Sequence, residues 1–162
     1  MMISRRTAAT ILIVATVVLG VASIWMTGRY LNLYRTTMQT DVKIEVLQVD
    51  LGHSPPSIHL AFTITNPVSS PFEVSIVIYE IGLNGKYLTQ GIIKDAFQVG
   101  RDQNTTIDKI VVIPEARMFT IQEAEEEGRW LWSVSGSLHV TTYVGETRIR
   151  FRSSIPFKPR GS

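Results

Sequence analysis

The sequence has no cysteine among its 162 residues. This absence excludes disulfide bonds, catalysis by a thiol and metal sites built on thiolates. A folded domain in this chain must therefore be stabilised by its apolar core and its hydrogen bonds. Such a domain fits the outside of a cell, and it fits the inside equally well.

Charge is absent from residues 7–28, TAATILIVATVVLGVASIWMTG, and most of these residues are apolar. A helix of this length extends about 33 Å, which is enough to cross a hydrocarbon layer about 30 Å thick. A cleaved signal peptide is the alternative, because Arg5 and Arg6 precede the run, but its apolar core usually has only about 7–15 residues. The pattern predicts a tail over residues 1–6 and then an uncleaved transmembrane helix that anchors the chain in the lipid bilayer.

Orientation depends on the charges that flank the apolar run. Arg5 and Arg6 precede it, and Arg29 and Arg35 follow it, so the positive-inside rule gives only a weak preference. The short N-terminal tail has little bulk to translocate. We therefore predict a single-pass protein of the cell membrane with its N-terminus inside and its C-terminal domain outside. Residues 29–41 are predicted to form a juxtamembrane connector that is helical in its first two turns.

From Val42 onward the apolar residues alternate as they do in β-strands, and β-branched residues are frequent. Seven runs predict strands: 42–51, 57–65, 72–82, 86–93, 107–113, 130–143 and 147–157. In the first run the alternation slips between Val46 and Leu47, which indicates a β-bulge. Residues 114–128 have helix-forming residues that end at a glycine and predict one short helix.

Two glycine-containing dipeptides predict hairpin turns. Asn84-Gly85 is the stronger signal, because both central residues of a type I′ turn need positive φ, and Val144-Gly145 is the second. Seven strands and one short helix over residues 42–158 predict a mainly β protein with an antiparallel β-sandwich. Residues 159–162 are left as a C-terminal tail.

The run LAFTITNPVSSPFEV places an amide where a strand should carry an apolar side chain. Leu60, Phe62 and Ile64 share one parity, Asn66 continues it, and Pro67 follows. Proline cannot donate to a strand ladder, and the residue before it is held in an extended conformation. We therefore predict that the Asn66 amide points inward and satisfies backbone groups that the kink leaves unpaired. This is an architectural role, not a catalytic one.

The segment IHLAFTITNPVSSPFEVSIVIYEIGLNGKYLTQG resembles the core of the late-embryogenesis-abundant type 2 domain, also called the WHy (water stress and hypersensitive response) domain. That family has a strand ending in Asn-Pro, a paired strand with a tyrosine, an Asn-Gly turn and a later glycine. The matching positions here are Asn66-Pro67, Tyr79, Asn84-Gly85 and Gly91.

Further along the chain, TTIDKIVVIP resembles the family's next strand, and WSVSGSLHVTTYVGETRIRFRSSIPF resembles its closing hairpin, with Gly136 in the strand and Gly145 at the turn. The resemblance covers residues 42–158. It implies an Ig/fibronectin-III-like β-sandwich that is associated with stress responses and is often tethered to a membrane by one helix. The family has no established catalytic residues, so the resemblance assigns none here.

Side chains suited to catalysis or metal binding are few and scattered. His53 lies in a predicted loop, and His59 and His139 lie on the polar parity of their strands, none at a metal-ligand spacing. Phosphate-binding loops and nucleophile elbows are also missing. We therefore expect no cofactor, no metal and no enzymatic activity. The net charge of +2 does not indicate a nucleic-acid partner, and we expect none.

Arginines gather on the last predicted strand. Arg148, Arg150 and Arg152 alternate with apolar residues, so they project from one face, and residues 147–162 contain no acid. Charges on an edge strand deter pairing with another chain, which is the interpretation that we favour. Contact with anionic lipid headgroups or with an acidic partner is the alternative.

Asn104-Thr105-Thr106 is an acceptor sequence for N-glycosylation in a predicted turn. Its use would require the domain to lie outside the cell.

Two functions fit these observations. The first is a non-enzymatic, membrane-anchored WHy-like protein that acts at the extracytoplasmic face in stress protection or binding. The second is an accessory structural subunit of a membrane protein complex. In that case the small residues of the helix (Ala8, Ala9, Ala15, Gly20, Ala22 and Ser23) would allow close packing against other integral membrane proteins.

Overall fold

The computed structural model describes residues 5–52 and 54–159. Helix α1 comprises Arg5–Gln39 and has 35 residues, so it extends about 52 Å at 1.5 Å per residue. It therefore continues beyond the two further turns expected after the apolar run. The amide of Thr40 closes its last turn on the carbonyl of Thr36 at 3.3 Å. No proline or glycine interrupts residues 29–39, so the sequence carries no signal that would end the helix earlier.

Two antiparallel sheets face each other, which confirms the predicted fold class. In the described residues the strands number eight, one more than expected. They are β1 Asp41–Asp50, β2 Ser57–Asn66, β3 Phe72–Leu83, β4 Lys86–Ile93, β5 Phe97–Val99, β6 Gln103–Val112, β7 Leu131–Thr142 and β8 Gly145–Pro156. One sheet has the order β1-β2-β6, and the other has the order β4-β3-β7-β8 with β5 also paired to β3.

The region between β4 and β6 differs from the expectation. The short strand β5 pairs with the start of β3, with Val99 opposite Phe72. Strand β6 begins at Gln103, which pairs with Asn66 at the end of β2. Asn104 therefore lies in a strand and not in a turn. The first residues of β6 are polar and show no apolar alternation, and for this reason the periodicity missed them.

The core lies between the sheets and is built from the apolar parity of the strands. Phe62 of β2 packs against Tyr79 of β3 and Phe151 of β8, with ring centroids 5.1 and 6.3 Å apart. Burial raises the pKa of the Tyr79 phenol. The Trp132 indole donates to the carbonyl of Phe157 at 2.9 Å, which fastens the chain after β8 to the core. The ladder between β1 and β2 shifts register at Leu47, as the sequence predicted.

The Asn84-Gly85 turn has φ values of 51° and 82°, as a type I′ turn requires. The Asn84 side chain also donates to the carbonyl of Arg129 at 2.7 Å and accepts from the amide of Leu131 at 3.0 Å. The turn is therefore fastened to the segment that leads into β7.

The second hairpin turn lies one residue earlier than predicted, because Tyr143 and Val144 occupy it and Gly145 begins β8. The Thr142 hydroxyl accepts from the amides of Val144 and Gly145 at 3.2 Å each. This side chain holds the turn, and the dipeptide rule took no account of it.

The predicted helix is present as a 3-10 turn, Glu115–Arg117, followed by α2, Met118–Glu127. Gly128 ends α2 in the left-handed conformation, with φ 63°. Ile121 and Ala124 are buried and attach the helix to the core.

Gly136 gives a test of the packing between β3, β7 and β8. A Cβ atom at this position would lie 2.1 Å from the carbonyl oxygen of Ile78 and 2.7 Å from the Phe151 ring. Because the backbone of β3 cannot move away without breaking its ladder, we expect Gly136→Ala to lower the free energy of unfolding by about 1–3 kcal/mol. Fluorescence-monitored denaturation of the full chain in detergent measures the change. Gly52→Ala is the control, since its Cβ would have 3.9 Å of space, and equal stability of the two variants would contradict this account.

Candidate functional site: the helix junction and the basic strand

Three connections meet where α1 joins β1. Because β2 and β7 run antiparallel to β1 and β8 respectively, the chain after β2 and the turn after β7 both lie at this end of the sandwich. The chain after β5 joins them, since β5 pairs antiparallel with β3. We call residues 66–71 the kink loop; it contains the Asn-Pro pair.

Asn66 is fully buried and binds the backbone of two of these connections. Its side-chain nitrogen donates to the carbonyls of Ser70 and Gly100, each at 2.9 Å. Its side-chain oxygen accepts from the amide of Val68 at 3.0 Å. The ladder ends at Pro67, so these groups have no strand partner, and the carboxamide takes the place of one.

Asn32 of α1 reaches the same loop from the outside. Its side-chain nitrogen donates to the Ser70 hydroxyl at 3.1 Å and to the Tyr143 hydroxyl at 2.7 Å. Arg29, almost one helical turn earlier, donates to the Tyr143 carbonyl at 3.2 Å and lies 4.3 Å from the centre of the Trp25 ring. We call these contacts the helix junction. It binds the kink loop and the β7–β8 turn to one face of α1.

The helix junction also sets the direction of β8 relative to α1. Arg29 contacts the turn before β8, and the Thr37 hydroxyl lies 3.0 Å from the Thr147 hydroxyl. From Arg29 to Thr37 the helix advances about 12 Å, and from its first residue, Gly145, to Thr147 the strand advances about 7 Å. Strand β8 therefore starts alongside the end of α1 and continues away from the apolar segment.

The predicted basic residues lie together on β8. Arg148, Arg150 and Arg152 are exposed and stand opposite His139, Ser137 and Ser135 of β7. Strand β8 is at the edge of its sheet. Within residues 5–52 and 54–159, none of the three guanidinium groups has a hydrogen bond or an ion pair. They form a line about 13 Å long that is free to bind another molecule.

The same outer face has an apolar line on β3 and β4. Ile78 stands opposite Ser137 on one side and Ile92 on the other, and Ile76 stands opposite His139. Ile76 and Ile78 are each 37% exposed, and Ile92 is 50% exposed. Small or polar side chains of β7 lie between the isoleucines and the arginines.

Other polar clusters offer little chemistry. Lys86 of β4 forms an exposed ion pair with Glu123 of α2. Among the described residues, no three His, Cys, Asp or Glu side chains are placed to hold a metal ion. His59 and His139 lie on different sheets, and His53 is outside the described residues. Asn104, the predicted glycosylation site, is exposed.

Sequence reasoning missed Asn32, Ser70 and Tyr143. Asn32 is a polar residue among Leu31, Leu33 and tyrosines just beyond the apolar run, and this local contrast is the signal that could have identified it. Its partner Tyr143 is 111 positions away, so no local pattern indicates their contact.

Solved structures with the same fold come from distant organisms. A protein from Archaeoglobus fulgidus is 14% identical, with a TM-score of 0.52, and the match covers 73% of this chain and 98% of the other. A protein from Arabidopsis thaliana is 21% identical, with a TM-score of 0.53, and the match covers 76% and 79%. At these identities the likeness shows the fold alone: an antiparallel β-sandwich, carried here after a long apolar helix.

A putative late embryogenesis abundant (LEA) protein is also among the similar structures, at 14% identity over 90% of each chain. Its TM-score of 0.48 is too low to support a conclusion about this chain. No protein-family model matches the sequence, and no curated protein matches it.

We expect the replacement of Asn66 by leucine to destabilise the domain. The substitution keeps the size and the strand parity, but it leaves the carbonyls of Ser70 and Gly100 and the amide of Val68 without the Asn66 partner. Losing the partner of buried polar groups costs about 1–3 kcal/mol. Denaturation of the full chain in detergent measures this loss, and Asn104→Leu, on the exposed part of β6, is the control. A change below about 0.5 kcal/mol would mean that these groups are satisfied by water.

We expect the replacement of Asn32 by alanine to loosen the domain from the helix while the sandwich stays folded. The chain lacks cysteine, so spin labels can be placed on cysteines at Val18 in the apolar segment and at Ser154 on β8. Double electron–electron resonance should give a narrow distance distribution in the parent and a broader one in Asn32→Ala, because two hydrogen bonds of the junction are removed. The control is Gln39→Ala, an exposed polar residue of the same helix. Equally narrow distributions in both variants would show that Asn32 does not fix the domain.

Proposed function

We propose that this chain is a single-span membrane protein of the LEA type 2/WHy class, without enzymatic activity, whose sandwich acts at the extracytoplasmic face in stress protection or binding. The observation that carries the proposal is the apolar helix. Within the described residues, Ala9–Gln39 is the one helix that is long and apolar enough to span a membrane, and its most apolar window has no part buried against the sandwich. An apolar surface of this size needs another environment to cover it.

The helix junction supports the placement of the sandwich outside the bilayer. It begins at Arg29, directly after the apolar residues, and Trp25, Tyr30 and Tyr34 are exposed around this boundary. Aromatic side chains of this kind suit the headgroup layer. Support for the WHy class comes from the order of the motifs, with Asn66-Pro67 and Asn84-Gly85 in the roles described above, and from the shared fold.

An accessory subunit of a membrane complex is the second candidate. It is favoured by the outer face of β3, β7 and β8, which carries unpaired arginines beside exposed isoleucines. Native size analysis after mild detergent extraction separates the two functions, because a subunit co-purifies with integral membrane proteins in fixed ratio.

The orientation can be tested with single cysteines, since the parent has none. We expect a cysteine at the exposed Ser154 to react with a membrane-impermeant maleimide on intact cells, because we place β8 outside. A cysteine at Gly20, in the apolar segment, should stay unlabelled before and after permeabilisation. Labelling of Ser154→Cys only after permeabilisation would contradict the outward orientation. Extraction of the chain by alkaline carbonate would contradict the anchor itself.

A further inference from the structure

We infer that the outer face of β3, β7 and β8 is a docking groove for an acidic amphipathic helix of a partner protein. Three parallel lines build the groove. Arg148, Arg150 and Arg152 form one wall, β7 forms the floor, and the other wall consists of Ile76 and Ile78 and ends at the exposed Glu80, which stands opposite Ser135. This deepens the proposed function by naming a partner, and it relies on the proposed anchor only where it excludes the lipid surface.

The floor of the groove is lined by Ser135, Ser137 and His139 of β7. Ser135 and Ser137 are short side chains, so both walls rise above them. Ser137 is 1% exposed, and among the described residues its hydroxyl has no hydrogen-bond partner. It lies between Ile78 and Arg150 in the strand register. Because Ile78 and Arg150 stand on either side of Ser137, their side chains cover the middle of the floor, and a partner contacts the two walls.

The dimensions of the groove fit a helix. The walls lie on strands that are two strand spacings apart, about 9.6 Å, so a helix that is about 10–12 Å across rests on the tips of both walls and does not enter between them. Successive arginines on β8 are about 6.7 Å apart, and residues at every fourth position of a helix are about 6 Å apart. A helix with acids along one flank and apolar residues along the other therefore meets both walls at once.

The membrane that would anchor the chain is not the ligand of this groove. Thr147 lies beside Thr37, which is about 12 Å beyond Arg29 along the helix, and the three arginines follow Thr147 on β8. Exposed charges are screened over about 8–10 Å at physiological ionic strength. The line of arginines therefore begins more than one screening length beyond Arg29 and faces molecules next to the domain.

The test uses the full chain in phosphatidylcholine nanodiscs and a fluorescent helical peptide with Glu at every fourth position of one flank and Leu along the opposite flank. We expect this peptide to bind, and we expect a Gln-for-Glu peptide to bind more weakly. Arg148→Gln, Arg150→Gln and Arg152→Gln together should weaken binding about tenfold, which corresponds to about 1.4 kcal/mol shared among three exposed pairs. The matched control is Arg101→Gln, Arg129→Gln and Lys158→Gln, which removes three exposed charges elsewhere and should change binding less than about twofold.

Two further variants keep the result interpretable. Ile76→Ser with Ile78→Ser should weaken both the Glu and the Gln peptide, because it removes the apolar wall. Replacing the three arginines by glutamate should lose the Glu peptide and gain a peptide with Lys in its place, which shows that the domain is still folded. Equal weakening by the control triple, or no weakening by the arginine triple, would overturn the groove.

The same experiments distinguish two other ligands of the groove, a lipid surface and a second copy of the chain. If the arginine triple abolishes flotation with added phosphatidylglycerol vesicles and leaves peptide binding unchanged, the face binds lipid, and the inference is wrong. If sedimentation in detergent shows a dimer that the arginine triple dissociates, the occupant is a second copy, and the inference is wrong again. These results are independent of carbonate extraction, so a failure of the groove and a failure of the anchor can be told apart.

Discussion

The carboxamide of Asn66 is the interaction on which the helix-proximal end of the sandwich depends. At Pro67 the β2 ladder stops, and the backbone of the kink loop and of the chain after β5 is left without strand partners. One side chain supplies the missing donors and acceptor. Because Asn66 is fully buried, loss of any of these hydrogen bonds would leave a polar atom unpaired away from water, which is costly.

Asn66 also positions the kink loop for its hydrogen bond with Asn32 of α1. By binding the Ser70 carbonyl it fixes the residue whose hydroxyl accepts from Asn32. The two asparagines therefore hold the same residue from opposite sides, one from the core and one from the helix. The position of α1 beside the sandwich follows from the kink that ends β2, and the direction of β8 and of its arginines follows in turn.

The sequence was most informative where one local rule decided the outcome. The Asn84-Gly85 turn, the bulge at Leu47 and the end of α2 at Gly128 each follow from a backbone requirement of adjacent residues. The parity of Leu60, Phe62 and Ile64 placed Asn66 on the inner face. Successive side chains of a strand point to opposite faces, so Asn66 had to share the buried face of these residues, and its burial could be predicted.

The sequence was less informative where distant residues decide the structure. Strand β5 and the start of β6 exist because β3 and β2 offer them partners, and their own residues carry no alternation. Only one wall of the groove could be predicted from the sequence, because the arginines alternate along one strand. Their alignment with Ile76 and Ile78 depends on the registers of β7 with both neighbouring strands. Pairing register across a sheet is a tertiary property, and a single strand does not encode it.

The helix junction has a consequence for the order of events during synthesis. It joins Asn32 to Tyr143 across 111 positions of chain, so the helix emerges long before its partner residue exists. Contacts between residues so far apart in sequence pay a large loop-closure entropy and form late. A newly made chain therefore has a stage in which the helix has formed and the domain is not yet fixed to it. When the last hairpin forms, Tyr143 makes its contacts with the helix. The domain therefore takes up its orientation relative to α1 only when it has finished folding.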